Sequence, residues 1–336
     1  MKRILWMILG LVTAVSVMAE QLTDADKHAI AEANKFVERA NQFVQNNSLP
    51  RAKSEYLKAL KIFPRHVDAL YNLAIACEKL GQNDEAIAHY KRYLEIRPDD
   101  ADVWTQLGVR YDESGNQVEA KAAYEKALAI NPNFGLAHHN LGVLFKEQGK
   151  LPEAQQQFEM FVSLEEKAGQ RNGDAYYSLG TLYLARGRVR DAKLQLQKAL
   201  DSDPTISYYN NAMGDVYLAE KQIDSAIAAY RKALDKDPKY APAYSGLGDA
   251  YRQQGNRDKA AEAYRKALEL RSDYSVVYYK LGLLYEDSQP AEAIKHFEKY
   301  LGSAKNPEFE KQAKDKIEKL KQASTHVTTP QSQRQQ

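Results

Sequence analysis

Apolar residues recur three and four positions apart along residues 101–134, and this pattern is interrupted once near its middle. The two apolar stripes consist of Trp104, Leu107, Gly108 and Tyr111, and then of Ala120, Tyr124, Ala127 and Leu128. Gly115 separates the stripes and Pro132 follows the second, as is typical of residues that end helices. Spacings of three and four place each stripe on one side of a helix. The pattern therefore predicts two antiparallel helices joined by a tight turn.

The same pattern returns about every 34 residues along the chain. A glycine occupies one position in the first helix of most copies, at Gly108, Gly142, Gly180, Gly214, Gly248 and Gly282. A glycine inside a helix costs roughly 1 kcal/mol relative to alanine, so its repetition predicts close contact between helices. We expect small residues of the second helix, such as Ala120 and Ala154, to face that contact. Because one helix pair cannot bury both of its apolar faces, the copies must stack on one another.

These residues resemble the tetratricopeptide repeat. The signature of that family is an aromatic residue, Leu-Gly and Tyr in the first helix, followed by Ala, an aromatic residue, Ala and Pro in the second. The resemblance implies an all-α fold, a right-handed α-solenoid superhelix of about eight stacked antiparallel helix pairs. The copies are predicted at residues 33–66 (degenerate), 67–100, 101–134, 135–168, 173–206, 207–240, 241–274 and 275–302.

The first 19 residues have the pattern of a secretory signal peptide. Lys2 and Arg3 form a positive start, and residues 4–18 are an uncharged, mostly apolar run. This run is shorter than the roughly 20 residues that usually span a bilayer. We therefore predict cleavage of residues 1–19 near Glu20 and an exported, periplasmic protein. Retention of residues 4–18 as an inner-membrane anchor is the alternative, and it would be the only contact with a membrane.

Short segments flank the repeats. Residues 20–32 are predicted to be a linker and lead-in helix, capped by Thr23 or Asp24. Residues 303–323 carry one further amphipathic pattern and are predicted to form a helix that covers the end of the stack. Residues 324–336 are polar, and we expect them to be disordered.

Charge and motif content favour neither nucleic-acid binding nor catalysis. The formal net charge is +2, without the concentrated basic face that is typical of nucleic-acid-binding proteins. Cys77 is the only cysteine, so we interpret it as a buried apolar residue. The histidines are scattered, and no HExxH, CxxC or P-loop pattern occurs. We predict a non-enzymatic protein with no catalytic site, no metal and no cofactor.

The resemblance also implies where a partner binds. In the family, the first helices line a concave groove, and the second, fifth, ninth and twelfth positions of each copy project into it. These and adjacent positions supply the candidate contacts Tyr71, Asn72, His139, Asn140, Lys146, Tyr177, Tyr208, Asn211, Asp215, Asp249, Arg252 and Tyr279. Tyrosines combine contact area with a hydrogen-bonding tip, and acids outnumber bases in this lining. The lining favours a protein or peptide partner with basic and apolar residues.

The sequence thus predicts an interaction scaffold that holds partner proteins or extended segments in this groove, in assembly of the cell envelope. Two alternatives remain open. The repeats could self-associate into a structural scaffold, or the chain could be an accessory subunit of a larger enzyme or secretion complex. The identity of the partner, the pathway and the oligomeric state do not follow from the sequence.

Overall fold

The computed structural model describes residues 23–303 and 307–327. The predicted signal peptide at residues 1–19 and the end of the chain from residue 328 lie outside this part. The described residues form seventeen α-helices and no β-strand. The predicted all-α fold of stacked antiparallel helix pairs, an α-solenoid with a further C-terminal helix, is confirmed.

The helices follow the predicted repeats closely. In chain order they are α1 (Asp24–Gln45), α2 (Leu49–Ile62), α3 (Val67–Lys79), α4 (Asn83–Ile96), α5 (Ala101–Glu113), α6 (Gln117–Ile130), α7 (Gly135–Glu147), α8 (Leu151–Lys167), α9 (Gly173–Ala185), α10 (Val189–Ser202), α11 (Ser207–Ala219), α12 (Ile223–Lys236), α13 (Ala241–Gln253), α14 (Arg257–Leu270), α15 (Ser275–Tyr285), α16 (Pro290–Leu301) and α17 (Pro307–Val327). None of these helices combines the length and the apolar composition that crossing a bilayer requires.

The chain divides into two compact units, which we call unit 1 (residues 1–148) and unit 2 (residues 149–336). In unit 1, α1 pairs with α2, α3 with α4 and α5 with α6, and α7 packs on α6. In unit 2, α9 pairs with α10, α11 with α12, α13 with α14 and α15 with α16. Helix α8 packs on α9 at one end of unit 2, and α17 packs on α16 at the other.

The first helix is longer than the predicted repeat boundary implies. Helix α1 runs without interruption from Asp24, so the lead-in segment and the first helix of the degenerate copy are one element. Thr23 is the N-cap, and its side chain forms a capping box with Asp26, at 3.1 Å from the Asp26 backbone nitrogen. The predicted cap at Thr23 is present. The helix continues without a break through the predicted boundary at residue 33.

The repeated glycines do mark close contacts, but their partner differs from the expected alanines. A Cβ atom on Gly108 would lie 2.5 Å from the Tyr124 ring, and one on Gly248 would lie 2.4 Å from the Tyr264 ring. Because real Cβ atoms do not approach other atoms so closely, only glycine fits beside these buried rings. At these two positions the aromatic residue of the second helix requires the glycine, whereas a Cβ atom on Gly180 would meet Leu196 and, at 3.4 Å, the Ala192 carbonyl oxygen.

The turns inside the helix pairs require a left-handed backbone conformation. Gly115 has φ of +79°, which glycine adopts at little cost. Lys221 takes the same place in the α11–α12 pair with φ of +59°, although its side chain disfavours this conformation. The turn geometry is therefore kept even where the chain has no glycine.

The last helix covers the end of unit 2, as predicted. Ala313 of α17 is fully buried, and the Phe309 ring stacks on Tyr279 with a centroid distance of 5.2 Å. Helix α17 extends to Val327, four residues beyond the predicted end at residue 323.

Candidate partner-binding surface

Three tyrosines of unit 2 form a compact aromatic cluster on consecutive first helices. Tyr177 of α9 lies 4.9 Å from Tyr208 and 5.7 Å from Tyr209, measured between ring centroids. Both α11 tyrosines donate hydrogen bonds to Asp174 Oδ1, at 2.6 Å from Tyr208 and 2.8 Å from Tyr209. Burial and the bond to Asp174 raise the pKa of Tyr208 to about 12, so its hydroxyl stays protonated. The cluster is thus held in place before any partner binds.

Asp215 lies in the same surface, at the ninth position of the α11–α12 repeat. It accepts a hydrogen bond of 2.7 Å from the buried Tyr230 hydroxyl, and Asn211 Nδ2 lies 3.4 Å from its other oxygen. Burial raises the pKa of Asp215 to about 6, and the Tyr230 bond opposes this rise. Burial and, to a smaller extent, the Asp215 charge raise the pKa of Tyr177, and burial is also the main cause of the raised pKa of Tyr240.

Asp249 occupies the equivalent position one repeat later and has a different environment. It accepts a 2.7 Å hydrogen bond from Tyr264, as Asp215 does from its own tyrosine. Unlike Asp215, it also forms an ion pair with Lys280, whose Nζ lies 2.5 Å from Asp249 Oδ2 and 2.9 Å from Ser245 Oγ. Arg252 is exposed nearby and reaches the Tyr264 hydroxyl.

Tyr279 is covered by its own unit, whereas Tyr71 is half-buried. Tyr279 is only 6% exposed, packs against α16 and α17, and donates a hydrogen bond of 2.7 Å to Gln312. Tyr71 packs at 5.7 Å from the Tyr93 ring, and its hydroxyl is bonded to Asp102. Tyr279 is therefore not open to a partner, because the C-terminal helix that the sequence also predicted lies over it.

The remaining candidates lie in unit 1 and do not form one cluster. Asn72 lines a cavity of about 310 Å³ between α1, α2 and α3. His139 Nδ1 and Asn140 Oδ1 are 3.3 Å apart on α7 and bond to each other. Burial lowers the pKa of Lys146, so its charged form is disfavoured where it lies. Contacts thus join several candidates in unit 2, whereas the rings that pack on Tyr71 in unit 1, Tyr90 and Tyr93, are not candidates.

Sequence reasoning missed three side chains that lie in or beside this surface. Tyr209, Tyr240 and Lys280 lie outside the projecting positions that the family resemblance assigns, yet each contacts or influences a residue at such a position. The sequence signal that could have identified them is a side chain able to form hydrogen bonds that lies next to a candidate residue or one helical turn away from it. We call Asp174, Tyr177, Tyr208, Asn211, Asp215 and Tyr240 the unit 2 surface.

Unit 1 also brings together one possible set of metal ligands that the sequence analysis did not connect. Cys77, Glu85 and His89 offer ligand atoms within 4.8 Å of one another. However, Lys53 already pairs with Glu85 at 2.7 Å, and burial raises the pKa of the Cys77 thiol to about 11. His89 Nδ1 is buried without a hydrogen bond, but so is Nδ1 of His296 at the matching position of the last repeat. We therefore assign no metal to this set.

Cavities also occur between second helices, away from the predicted contact positions. One of about 460 Å³ lies between α4, α5 and α6 in unit 1, and another of about 460 Å³ lies between α10, α11 and α12 in unit 2. The first is largely apolar and is lined by Leu94, Trp104, Leu107, Tyr111 and Ala123. Both follow from stacking of the repeats, and each is open at its side.

Known tetratricopeptide repeat models match most of the chain. Models described as tetratricopeptide repeat match residues 37–101, 101–134, 123–156 and 173–206. A model described as TPR repeat matches residues 214–255 and 248–289. Comparison with curated proteins gives no match.

Solved structures with the same fold share little sequence with this chain. A tetratricopeptide repeat protein from Parabacteroides merdae has a TM-score of 0.63 and 20% identity, over 75% of this chain and 98% of that one. The human IFIT1 dimer with m7Gppp-AAAA has a TM-score of 0.63 and 18% identity, over 87% and 74% respectively. The APC/C hetero-tetramer Cut9-Hcn1 has a TM-score of 0.61 and 20% identity, over 85% of this chain but only 55% of that one. Similarity at these identities shows the fold alone. The repeat-model matches and the stacked helix pairs together show that the chain belongs to the tetratricopeptide repeat proteins.

Proposed function

We propose that this protein is a non-enzymatic interaction scaffold that binds an extended segment of a partner protein on the unit 2 surface. The observation that carries the proposal is the aromatic cluster around Tyr177 and Tyr208, which is half-buried and held by Asp174. Aromatic rings with polar tips can contact both apolar side chains and backbone groups of a bound peptide. Their fixed positions lower the entropy that ordering would otherwise cost on binding.

The chemistry of the surface supports binding rather than catalysis. A raised carboxyl pKa, such as that of Asp215, is also typical of catalytic acids and bases. The groups bonded to Asp215, however, are the Tyr230 hydroxyl and the Asn211 amide, and both stabilise the charged carboxylate. This arrangement lacks the nucleophile and base in mutual contact that covalent catalysis requires.

The proposal is tested by selecting peptides from a random dodecapeptide phage library on the immobilised full chain. The affinity of a selected peptide is then measured by fluorescence anisotropy. Replacing both Tyr177 and Tyr208 with alanine should weaken binding at least about tenfold, because interfaces concentrate their binding energy in buried aromatic residues. Far-UV circular dichroism should show unchanged helicity.

A matched control uses an exposed apolar residue outside the surface. Leu194 lies on the second helix α10 and is 58% exposed, so Leu194→Ser should leave peptide affinity unchanged. Equal affinity of the double tyrosine variant and the native chain would contradict the proposal. Sedimentation at several concentrations separates the alternative, since self-association that Leu194→Ser abolishes would favour a structural scaffold.

We further propose that the scaffold is exported and acts in assembly of the cell envelope. The support is the pattern of Lys2, Arg3 and the apolar residues 4–18 in the sequence. Mass spectrometry of the protein purified from its source should find an N-terminus at or near Glu20. An intact Met1 on protein recovered from the cytosol would contradict export, whereas an intact Met1 in the membrane fraction would favour the anchor.

A further inference from the structure

Unit 2 contains one lysine ammonium bound between two consecutive repeats. Lys280 of α15 reaches back to α13, where its Nζ lies 2.9 Å from Ser245 Oγ and 2.5 Å from Asp249 Oδ2. Ser245 and Asp249 are four residues apart and therefore lie on one side of α13. An alcohol and a carboxylate at this spacing thus form an ammonium site that the protein fills with its own side chain.

The same pair of positions recurs one repeat earlier without a lysine. Asn211 and Asp215 of α11 stand 34 residues before Ser245 and Asp249. The residue that stands 34 positions before Lys280 is Gly246, which has no side chain to offer. The repeat geometry therefore presents a second pair of acceptors and omits the cation that would occupy it.

The fold itself excludes an internal side chain at this position. A Cβ atom on Gly246 would lie 2.4 Å from Cε1 of Tyr230, a buried ring whose hydroxyl is bonded to Asp215. No lysine could replace this glycine without moving that ring. The chain therefore cannot fill the Asp215 site with the residue that is equivalent to Lys280.

Asn211 and Asp215 can each accept a further hydrogen bond. Among the described residues, no lysine or arginine nitrogen forms an ion pair with Asp215, and the Lys280 ammonium, which is bound to Asp249, acts on Asp215 only from there. The Asn211 Oδ1 atom is buried and has no hydrogen-bond partner. Its amide nitrogen lies 3.4 Å from Asp215, and the reverse orientation would set oxygen against carboxylate, which supports this assignment. A donor with several N–H groups would satisfy both atoms.

The surroundings of this pair suit the stem as well as the head of a lysine. Tyr208, Asn211 and Asp215 follow one another at spacings of three and four on α11 and therefore share one side of that helix, and Tyr177 adjoins Tyr208 at 4.9 Å. Aromatic rings cover the methylene stem of a long cationic side chain and attract its charge. The backbone of the partner segment would therefore lie on the tyrosine cluster, and one of its side chains would point towards Asn211 and Asp215.

We propose that Asn211 and Asp215 bind the ε-ammonium group of a lysine in the partner segment, in the manner in which Ser245 and Asp249 bind Lys280. This inference rests on the proposed function of the unit 2 surface. Lysine fits better than arginine, because the internal site holds a compact ammonium between two acceptors rather than a planar guanidinium on one carboxylate.

A double-mutant cycle on a selected dodecapeptide tests the inference. The peptide is synthesised with its lysine and with norleucine in that place, and both are titrated against the native chain and Asp215→Asn. Norleucine should weaken binding to the native chain by about ten- to a hundredfold, the range expected for charge-assisted hydrogen bonds. The same change should have little effect on binding to Asp215→Asn.

Asp235→Asn is the matched control, since Asp235 is an exposed aspartate on the second helix, α12, of the same repeat. It should show the same lysine dependence as the native chain. A norleucine effect of equal size in the native chain and in Asp215→Asn would overturn the lysine site while leaving peptide binding intact. Arginine that binds as well as lysine would overturn the preference for an ammonium group.

A second probe does not depend on any selected peptide. N-acetyl-lysine methylamide is added to the full chain, and the side-chain amide signals of Asn211 are followed by NMR. These signals should shift with the lysine compound, and neither with its norleucine counterpart nor in Asp215→Asn. Absence of any shift, together with selected peptides that lack lysine, would refute the inference.

Discussion

The two units place an acid beneath a buried tyrosine in similar ways but compensate its charge differently. In unit 1, Tyr90 donates to Glu78 at 3.0 Å, and Arg110 lies 3.6 Å from the same carboxylate. In unit 2, Tyr230 donates to Asp215 at 2.7 Å, and no cation of the described residues pairs with that acid. The fold needs an acceptor for the tyrosine hydroxyl in both places. The Asp215 carboxylate has no direct ion pair among the described residues, and the Lys280 ammonium acts on it only from its place beside Asp249.

This difference shows what packing demands and what it does not. A neutral acceptor would satisfy the Tyr230 hydroxyl, so an ionised Asp215 is unnecessary for the fold. A carboxylate that is partly desolvated without a partner raises the free energy of the folded state. Residues that oppose stability in this way concentrate at functional sites, which agrees with a binding role for Asp215.

The largest expected effect comes from removing the cation beside the tyrosine-bonded acid of unit 1, so that this acid, like Asp215, has no direct ion pair. Arg110→Met removes the cation beside Glu78 and also the 2.7 Å pair with Glu113, and it should destabilise unit 1 by about 2–3 kcal/mol, because the half-buried Glu78 loses its compensating charge. Urea unfolding followed by Trp104 fluorescence reports on unit 1. Loss of less than about 1 kcal/mol would show that Glu78 is stable without its partner. Lys121→Met, which breaks an exposed pair with Glu125, is the control.

A smaller effect of opposite sign is expected in unit 2. Asp215→Asn keeps an acceptor for Tyr230 but removes the charge, so it should stabilise unit 2 by about 2 kcal/mol at pH 8. Asp249→Asn should instead destabilise unit 2, since it leaves Lys280 without its carboxylate. Hydrogen exchange of amides in α11 and α13 measures both changes. Equal signs for the two variants would show that the positions are not differently compensated.

The smallest expected effect is the change with pH in the free energy by which Asp215→Asn stabilises unit 2. The pKa of Asp215 is about 6 in the folded state and near 3.8 when unfolded, so the folded chain takes up the proton first on acidification. Stability of the native chain should therefore rise as pH falls from about 6 towards 4, by at most about 1.4 kcal/mol per pH unit. The advantage of Asp215→Asn should shrink over the same range.

The comparison of the native chain with Asp215→Asn separates the effect of Asp215 from the effects of its neighbours. The charged groups that act on Asp215 are Lys280 and Asp249, and the Tyr230 hydroxyl donates to it. All of these are retained in Asp215→Asn, so the difference between the two chains reports the aspartate itself. A difference that stays constant from pH 8 to pH 4 would mean that Asp215 titrates normally.

Most of the fold could be predicted from the sequence because each repeat carries its own boundaries. Helices α5 and α6 lie on either side of Gly115, as the spacing of apolar residues predicts. The sequence predicts that the degenerate copy starts at residue 33. Residues 24–45 contain no glycine or proline, so α1 continues through this boundary.

Contacts between side chains were harder to predict than helix positions. Ala120 and Tyr124 lie one turn apart on the same face of α6, and spacing alone does not tell which of them meets Gly108. Tyr279 was correctly placed on its helix, but the reach of Phe309 over it depends on how α17 packs.

The unit 2 surface was predicted in part, for a similar reason. Asp215 and Asp249 occupy equivalent positions, and the sequence offers no sign that only one has a partner. That difference arises from Lys280, whose long side chain reaches back a full repeat to Asp249. A comparison of residues 34 positions apart would have revealed that glycine replaces this lysine one repeat earlier.

Tyr230 connects two neighbouring repeats through a single ring. A Cβ atom on either Gly214 or Gly246 would lie within 2.5 Å of this ring, so both first helices rest directly on it. Its hydroxyl ends at Asp215, on the surface where we propose that a partner binds. Neutralising that carboxylate would tighten the joint between the two helix pairs, so an occupied scaffold should flex less there than an empty one.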